Sequence, residues 1–373
     1  MTISTSQFQV IEEVVRQYAH EAYTNSKKLV GTGIVGQRSD VDGDVESYIG
    51  QFRWYKPLNP TVNVASATDA TDGTLTDIST DKAKYVKTVR TFGGEQVNVA
   101  EVITKEDGLK KLARDLAQVQ MDDQGEALMA VLKGVAATEV EAGNAAGGGN
   151  GGIVDFDTDA DAANTGMFVD INADSPVFGS AATGANDARK LFDSNGIGAA
   201  RGERLFQALG MGFKDHEPNF MYMAASPQTI AELRAANLVD ETKVTDGELE
   251  FTTVFDGKFR LLPTRQGQMA GGLTAGNLNA QSTKCTFIMK PNAVSFAPVQ
   301  APMPVELDRN AAAYRGSGKT QLWYRWGFVF HPEGYTWAGS ENEFATNAAY
   351  GAAASWTRKV SALNLPILPI FHA

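Results

Sequence analysis

The run TKEDGLKKLARDLAQVQMDDQGEALMAVLKGVAATEVEA, which starts at Thr104 and contains no proline, constrains this chain most. Leu109, Leu112, Leu116 and Val119 fall on one stripe at helical spacing, and Leu128, Val131 and Val135 continue it beyond Gly125. Thr104 followed by Asp107 resembles a capping signal with acid in the first turn. A one-sided stripe of this length predicts a surface-lying helix on the order of 50 Å long, with a bend near Gly125. That is longer than a compact enzyme core needs, so a flat, two-lobed molecule is expected.

The period changes on the N-terminal side of this helix. Val62 and Val64 alternate with polar neighbours, as do Val97 and Val99, and KAKYVKTVRTF (82–92) is rich in β-branched and aromatic residues. SATDATDGTLT lies between the two limbs, with Asp72-Gly73 as its best turn signal. These residues predict a long β-hairpin over 51–103. So thin an element buries little of its own surface, which makes a neighbouring copy the natural cover. Before it, SQFQVIEEVVRQYAHEAYT (6–24) places Phe8, Ile11, Val14, Val15 and Tyr18 at helical spacing on an N-terminal arm spanning 1–50.

After GNAAGGGNGG (143–152), a loop by composition, an acidic insertion runs to about residue 180. Helices are predicted around NDARKLFDSNG, RGERLFQALGMG and PQTIAELRAANLV, the last opened by Pro227 directly after the apolar strand FMYMAAS. Six short strands follow: ELEFTTVF, KFRLLPT, KCTFIMK, AVSFAP, PVELDR and QLWYRWGFVF. The chain closes with an alanine-rich helix, ENEFATNAAYGAAASW, and the apolar tail ALNLPILPIF. The fold class is α+β.

Several chemistries fail on spacing. RGSGKTQ (315–321) imitates a phosphate-binding loop, but the required first glycine is Ala313 and a strand follows instead of a helix. In DFDTDAD (155–161) the sixth and twelfth positions of a calcium loop are Ala160 and Gly166. His20-Glu21 lacks the second zinc ligand, since Thr24 stands there, and His216, His331 and His372 are widely scattered. No nucleophile has a base nearby in sequence, so no catalytic residue, metal ligand or cofactor is expected. The lone thiol, Cys285, reads as a small core residue. A formal charge of −11 excludes broad nucleic-acid affinity through a basic surface. No apolar run reaches membrane-spanning length, and MTISTSQFQVIEEVV has neither the basic start nor the apolar core of a signal peptide.

Lys82, Lys84, Lys87 and Arg90 cluster on the second hairpin limb, with Lys82 and Lys84 on one face. Two readings stand: a solvated strand face, or an assembly contact with an acidic neighbour that would include the Asp72-Gly73 tip.

The order of these elements resembles the major capsid proteins of tailed double-stranded DNA bacteriophages with the Hong Kong 97-like fold. WGFVFHPEGYTWAG (326–339), with WTRKV at 356–360, looks like the closing segment of phage coat sequences, and FMYMAASPQTIAELR looks like an axial-domain strand and helix. The resemblance implies an N-terminal arm at 1–50 and an extended loop at 51–103. It implies a peripheral domain with the spine helix and acidic insertion at 104–183, an axial domain at 184–325, and segments returning to the peripheral domain at 326–373. It further implies a virion protein that is not an enzyme, forming hexamers and pentamers around packaged DNA without sequence specificity or membrane contact. Partners implied with it are a portal protein, a decoration protein and a separate scaffolding protein, since a spine helix starting near residue 105 leaves no room for a long built-in scaffold. The lysine–asparagine pair and glutamate of covalent cross-linking are not identifiable. Maturation in such proteins straightens the spine helix and swings the hairpin, which makes Gly93, Gly94 and Gly125 hinge candidates. An encapsulin-like compartment shell and an enzyme with a degenerate nucleotide loop stay open as alternatives.

Overall fold

The computed structural model describes residues 33–39, 41, 47–55, 80–97, 108–144, 152–153, 166–178, 180–183, 190–192, 202–214, 217–246, 249–263, 278–280, 282–316 and 318–373. Along these the chain forms β1 (Val35–Gln37), β2 (Ile49–Tyr55), β3 (Thr80–Val86) and β4 (Thr88–Val97), then the long helix α1 (Gly108–Asn144). Next come β5 (Val169–Asp170), α2 (Glu203–Phe213), β6 (Met221–Ala225), α3 (Pro227–Ala235), β7 (Val239–Asp246), β8 (Leu249–Val254) and β9 (Phe259–Pro263). The remainder is β10 (Lys284–Met289), β11 (Val294–Val299), β12 (Val305–Asn310), β13 (Lys319–Pro332) and β14 (Tyr335–Trp337), followed by α4 (Asn347–Tyr350), β15 (Trp356–Arg358) and β16 (Ile367–His372).

Two large sheets organise these strands. One has five strands built on β13, whose fourteen residues have neighbours along both edges. β4 runs antiparallel along one edge, from Thr88 opposite Phe328 to Val97 opposite Lys319. On the other edge β11 pairs with the second half of β13 and β12 with the first, and β1 lies parallel to β11. The other sheet has seven strands in the order β5-β16-β10-β6-β9-β8-β7. β16 sits inside it with all six residues buried, as the apolar LPILPIF sequence requires.

All six strands expected between 250 and 330 form, but the sheets divide them. β8, β9 and β10 join the seven-stranded sheet, whereas β11, β12 and β13 join the five-stranded one. The boundary expected at residue 325 therefore falls inside β13, and the tail expected to return to the peripheral part contributes β16 to the seven-stranded sheet. Local sequence fixes strand propensity, whereas sheet membership depends on non-local pairing.

The long helix is unbroken through Gly125, and its two halves differ. In the first half Asp115, Gln118 and Asp122 are exposed. In the second, Ala127, Leu128, Val131, Leu132, Gly134, Val135, Ala136, Ala137, Glu139 and Val140 are all buried. The surface-lying helix that the stripe predicts is thus enclosed from about Ala127 onward. Its small residues permit this: a Cβ at Gly134 would lie 2.0 Å from the Tyr350 carbonyl oxygen and 2.8 Å from Trp356 Nε1. Only glycine lets the C-terminal segment press this closely on the helix.

Other local signals behave as their chemistry dictates. Ser226 caps α3, accepting from Thr229 N at 3.1 Å, with Pro227 in the first turn. The alanine-rich segment expected as one helix forms only α4 and a 3-10 turn at Ala353–Ser355, split at Gly351 and Ala352. There Trp337, Tyr350 and Trp356 pack on one another at 5.1–6.2 Å between ring centroids, so tertiary packing overrides helix propensity. Of NDARKLFDSNG only Lys190–Phe192 is described, as non-helical bend and coil with Leu191 and Phe192 buried. The predicted arm helix at 6–24 and the calcium-like DFDTDAD run lie outside the described residues.

Candidate functional site

The hairpin differs from expectation in its second limb. β2 pairs with β3 from Ile49 opposite Val86 to Tyr55 opposite Thr80. At Lys87 the chain then leaves this ribbon, and β4 pairs with β13 instead. The ribbon's root also finds cover in its own chain: Phe52, Ala83 and Tyr85 pack with Ala297, Val299 and Val329. Phe52 stacks on Tyr85 at 5.8 Å, meets the His331 ring edge-on at 4.8 Å and carries the Arg38 guanidinium at 4.0 Å. Lys84 N donates to Thr336 Oγ1 at 2.9 Å, tying β3 to β14. Val62, Val64, Val99 and the Asp72-Gly73 tip lie outside the described residues.

The four cations of the second limb meet different fates. Lys82 is exposed. Lys84 pairs with Glu341 at 2.6 Å at the surface. Lys87, at the break between β3 and β4, is buried. Arg90 reaches Asn347 Oδ1 at 2.6 Å and Asp123 at 3.5 Å, linking β4 to α4 and α1. Lys84 and Arg90 thus meet carbonyl and carboxylate groups of their own chain, while the solvated face centres on Lys82. Arg53, directly opposite Lys82 and also exposed, joins that face and was not among the sequence candidates. Strand register alone reveals it.

Of the three hinge candidates, Gly93 and Gly94 lie within β4, opposite Trp323 and Leu322. A Cβ at Gly93 would stand 2.6 Å from the Trp323 ring, so the indole lies across this glycine. Gly125 lies inside the continuous hydrogen-bonded helix.

Buried polar groups join elements far apart in sequence. Glu139 of α1, fully buried, accepts from Met167 N at 2.7 Å, Tyr335 Oη at 2.9 Å and Arg358 Nη1 at 2.9 Å. Burial, with Glu139 alongside, raises the Tyr335 phenol well above its usual range and keeps it a neutral donor. Asp123 accepts from Trp326 Nε1 at 3.0 Å, and desolvation lifts its carboxyl above the usual value. Asp170 accepts from Ser282 Oγ at 2.5 Å and from Asn279 N at 2.7 Å, and burial likewise raises it. None of these carboxylates was singled out by sequence, where acidic residues are scattered. Their roles follow from burial.

The motif-like segments resolve in the same way. Tyr314 and Arg315, in the turn that follows β12, take left-handed backbone, and Lys319, already in β13, pairs with Glu95 at 2.8 Å. Cys285 is buried with its thiol pushed far up by desolvation. His331 and His372 are enclosed, and burial depresses them to about 3 and about 4. Among the described residues no group of three His, Cys, Asp or Glu side chains is arranged to hold a metal ion. No described helix is long and apolar enough to cross a membrane.

No protein-family model matches this chain, and no match was found among curated proteins. Among solved structures, the capsid of Ralstonia phage GP4 aligns over 92% of this chain and 89% of that chain, with a TM-score of 0.50 at 10% identity. The chain has a phage capsid fold. The capsid of Cyanophage P-SCSP1u aligns over 91% and 86% with a TM-score of 0.43 at 12% identity. The mature capsid of bacteriophage PhiM1 aligns over 81% and 83% with a TM-score of 0.43 at 12% identity. The α+β capsid fold implied by the element order is the one this chain adopts.

Proposed function

We propose that this chain is a structural shell subunit that self-assembles into the hexamers and pentamers of an icosahedral phage capsid enclosing double-stranded DNA. The carrying observation is the fold itself: a likeness to the Ralstonia phage GP4 capsid that takes in nine-tenths of both chains. The interior supports this reading, because the buried carboxylates are consumed in cross-links between α1, β14, β15 and the sheets. A heterologous contact repeated around a ring closes when its rotation fits, and many weak contacts then sum to a stable shell. In this role the chain acts in the virion without catalysis. Its partners are further copies of itself, a separate scaffolding protein, a portal protein, a decoration protein and DNA held without sequence specificity. We assign the β2–β3 hairpin to the neighbouring subunit, with Gly93, Gly94 and Gly125 as pivots during maturation.

Expression of the full chain, followed by sedimentation and negative-stain microscopy across concentration, tests the proposal. Rings, sheets or closed shells are the expected products. A chain that stays monomeric up to the solubility limit, alone and with its scaffold, would sink it.

A further inference from the structure

Two exposed surfaces of opposite charge have no counter-ion among the described residues. On the β2–β3 ribbon, Arg53 and Lys82 stand directly opposite each other, both exposed. Like charges in that position destabilise a ribbon. Among the described residues neither has a carboxylate within ion-pairing distance, whereas Lys84, one step along the same face, is held by Glu341. On the first half of α1, Asp115, Asp122 and Glu126 form one exposed stripe. Asp122 and Glu126 are four residues apart, a like-charge spacing that also destabilises. The only described partner in this stripe is neutral: Gln118 Nε2 donates to Asp122 at 2.8 Å.

We infer that the Arg53/Lys82 face of one copy docks on the Asp115–Asp122–Glu126 stripe of a second copy. This rests on the shell reading above and adds the surface that the ribbon recognises. Residues directly opposite on paired strands have Cβ atoms roughly 5 Å apart and helical residues four apart rise about 6 Å, so Arg53 and Lys82 can lie in step with Asp122 and Glu126. Each surface carries a repulsion that the other relieves. Copies with a formal charge of −11 repel one another at long range, so association needs a local basic face aimed at a local acidic one. Nucleic-acid phosphate would also suit Arg53 and Lys82, but it would leave the helix stripe unmatched. A second copy satisfies both.

The test uses the full chain with R53E/K82E, with D122K/E126K, and with both sets combined. The threshold concentration for assembly is read by light scattering and mass photometry. Each reversal is expected to raise it about tenfold, and the combined variant to return to within about twofold of wild type. Thermal unfolding of the unassembled variants should match wild type, because every altered residue is exposed. If a reversal misfolds, R53Q/K82Q and D122N/E126N replace it. Wild type that never assembles overturns the shell reading and this inference together. Reversals that assemble like wild type, or a combined variant that gives no rescue, overturn the inference alone. So does an R53E/K82E chain that assembles normally but loses retention of duplex DNA, which would reassign the face to phosphate.

Discussion

Replacing Glu139 by alanine should destabilise the unassembled chain by about 4 kcal/mol, and the structure shows why. The carboxylate is fully buried and receives three donors: Met167 N, Tyr335 Oη and Arg358 Nη1. Removal strands two of them, the amide and the phenol, in the interior, each at a cost of about 1–3 kcal/mol. Arg358 keeps about one-fifth of its side chain exposed and partly recovers solvation, which holds the total below the upper end of the range for a broken buried pair. In a chain of 373 residues the expected drop in melting temperature is about 5 °C. Glu139→Gln keeps the shape and one acceptor and should cost about 2 kcal/mol. The assay is urea and calorimetric unfolding of E139A, E139Q, R358M and the double variant E139Q/R358M. The Glu139–Arg358 coupling should appear as a double variant less destabilised than the two single changes imply. A loss below about 1 kcal/mol in E139A, or strict additivity in the cycle, would refute the view that this carboxylate ties α1 to β14 and β15.

Gly134→Ala should cost about 2–3 kcal/mol despite alanine's better helix propensity, because the new methyl meets the Tyr350 carbonyl; thermal melts check this. His331 and His372, depressed to about 3 and about 4, leave stability intact above their unfolded value of about 6.5. Below it the unfolded chain takes up their protons first, so stability should fall by about 1.4 kcal/mol per pH unit per histidine as pH drops toward 4. H331F should lessen that slope in urea titrations at pH 6, 5 and 4, and an unchanged slope would contradict the assignment. Lys84→Ala should change stability by about 0.5 kcal/mol or less, since its pair with Glu341 lies at the surface. Gly93→Val should displace the Trp323 indole and shift its fluorescence, whereas an unchanged spectrum would mean that the ring does not depend on this glycine.

The sequence alone determined whatever depends on short-range chemistry. The proline-free run with its leucine and valine stripe became α1, Pro227 after Ser226 became a capped helix start, and all six strands between 250 and 330 formed. The RGSGKTQ run, read as a turn before a strand, leads into β13, and Cys285, read as a core residue, is buried. Register and burial were left to the tertiary structure. β4 departs from the ribbon because β13 offers it a ten-residue ladder, and Arg53 meets Lys82 only once β2 and β3 are paired. Glu139 is one of many scattered acids until folding encloses it with Tyr335 and Arg358, residues nearly two hundred or more positions away. Helix period and turn chemistry are properties of neighbouring residues, whereas pairing and desolvation belong to groups that meet only after the chain has folded.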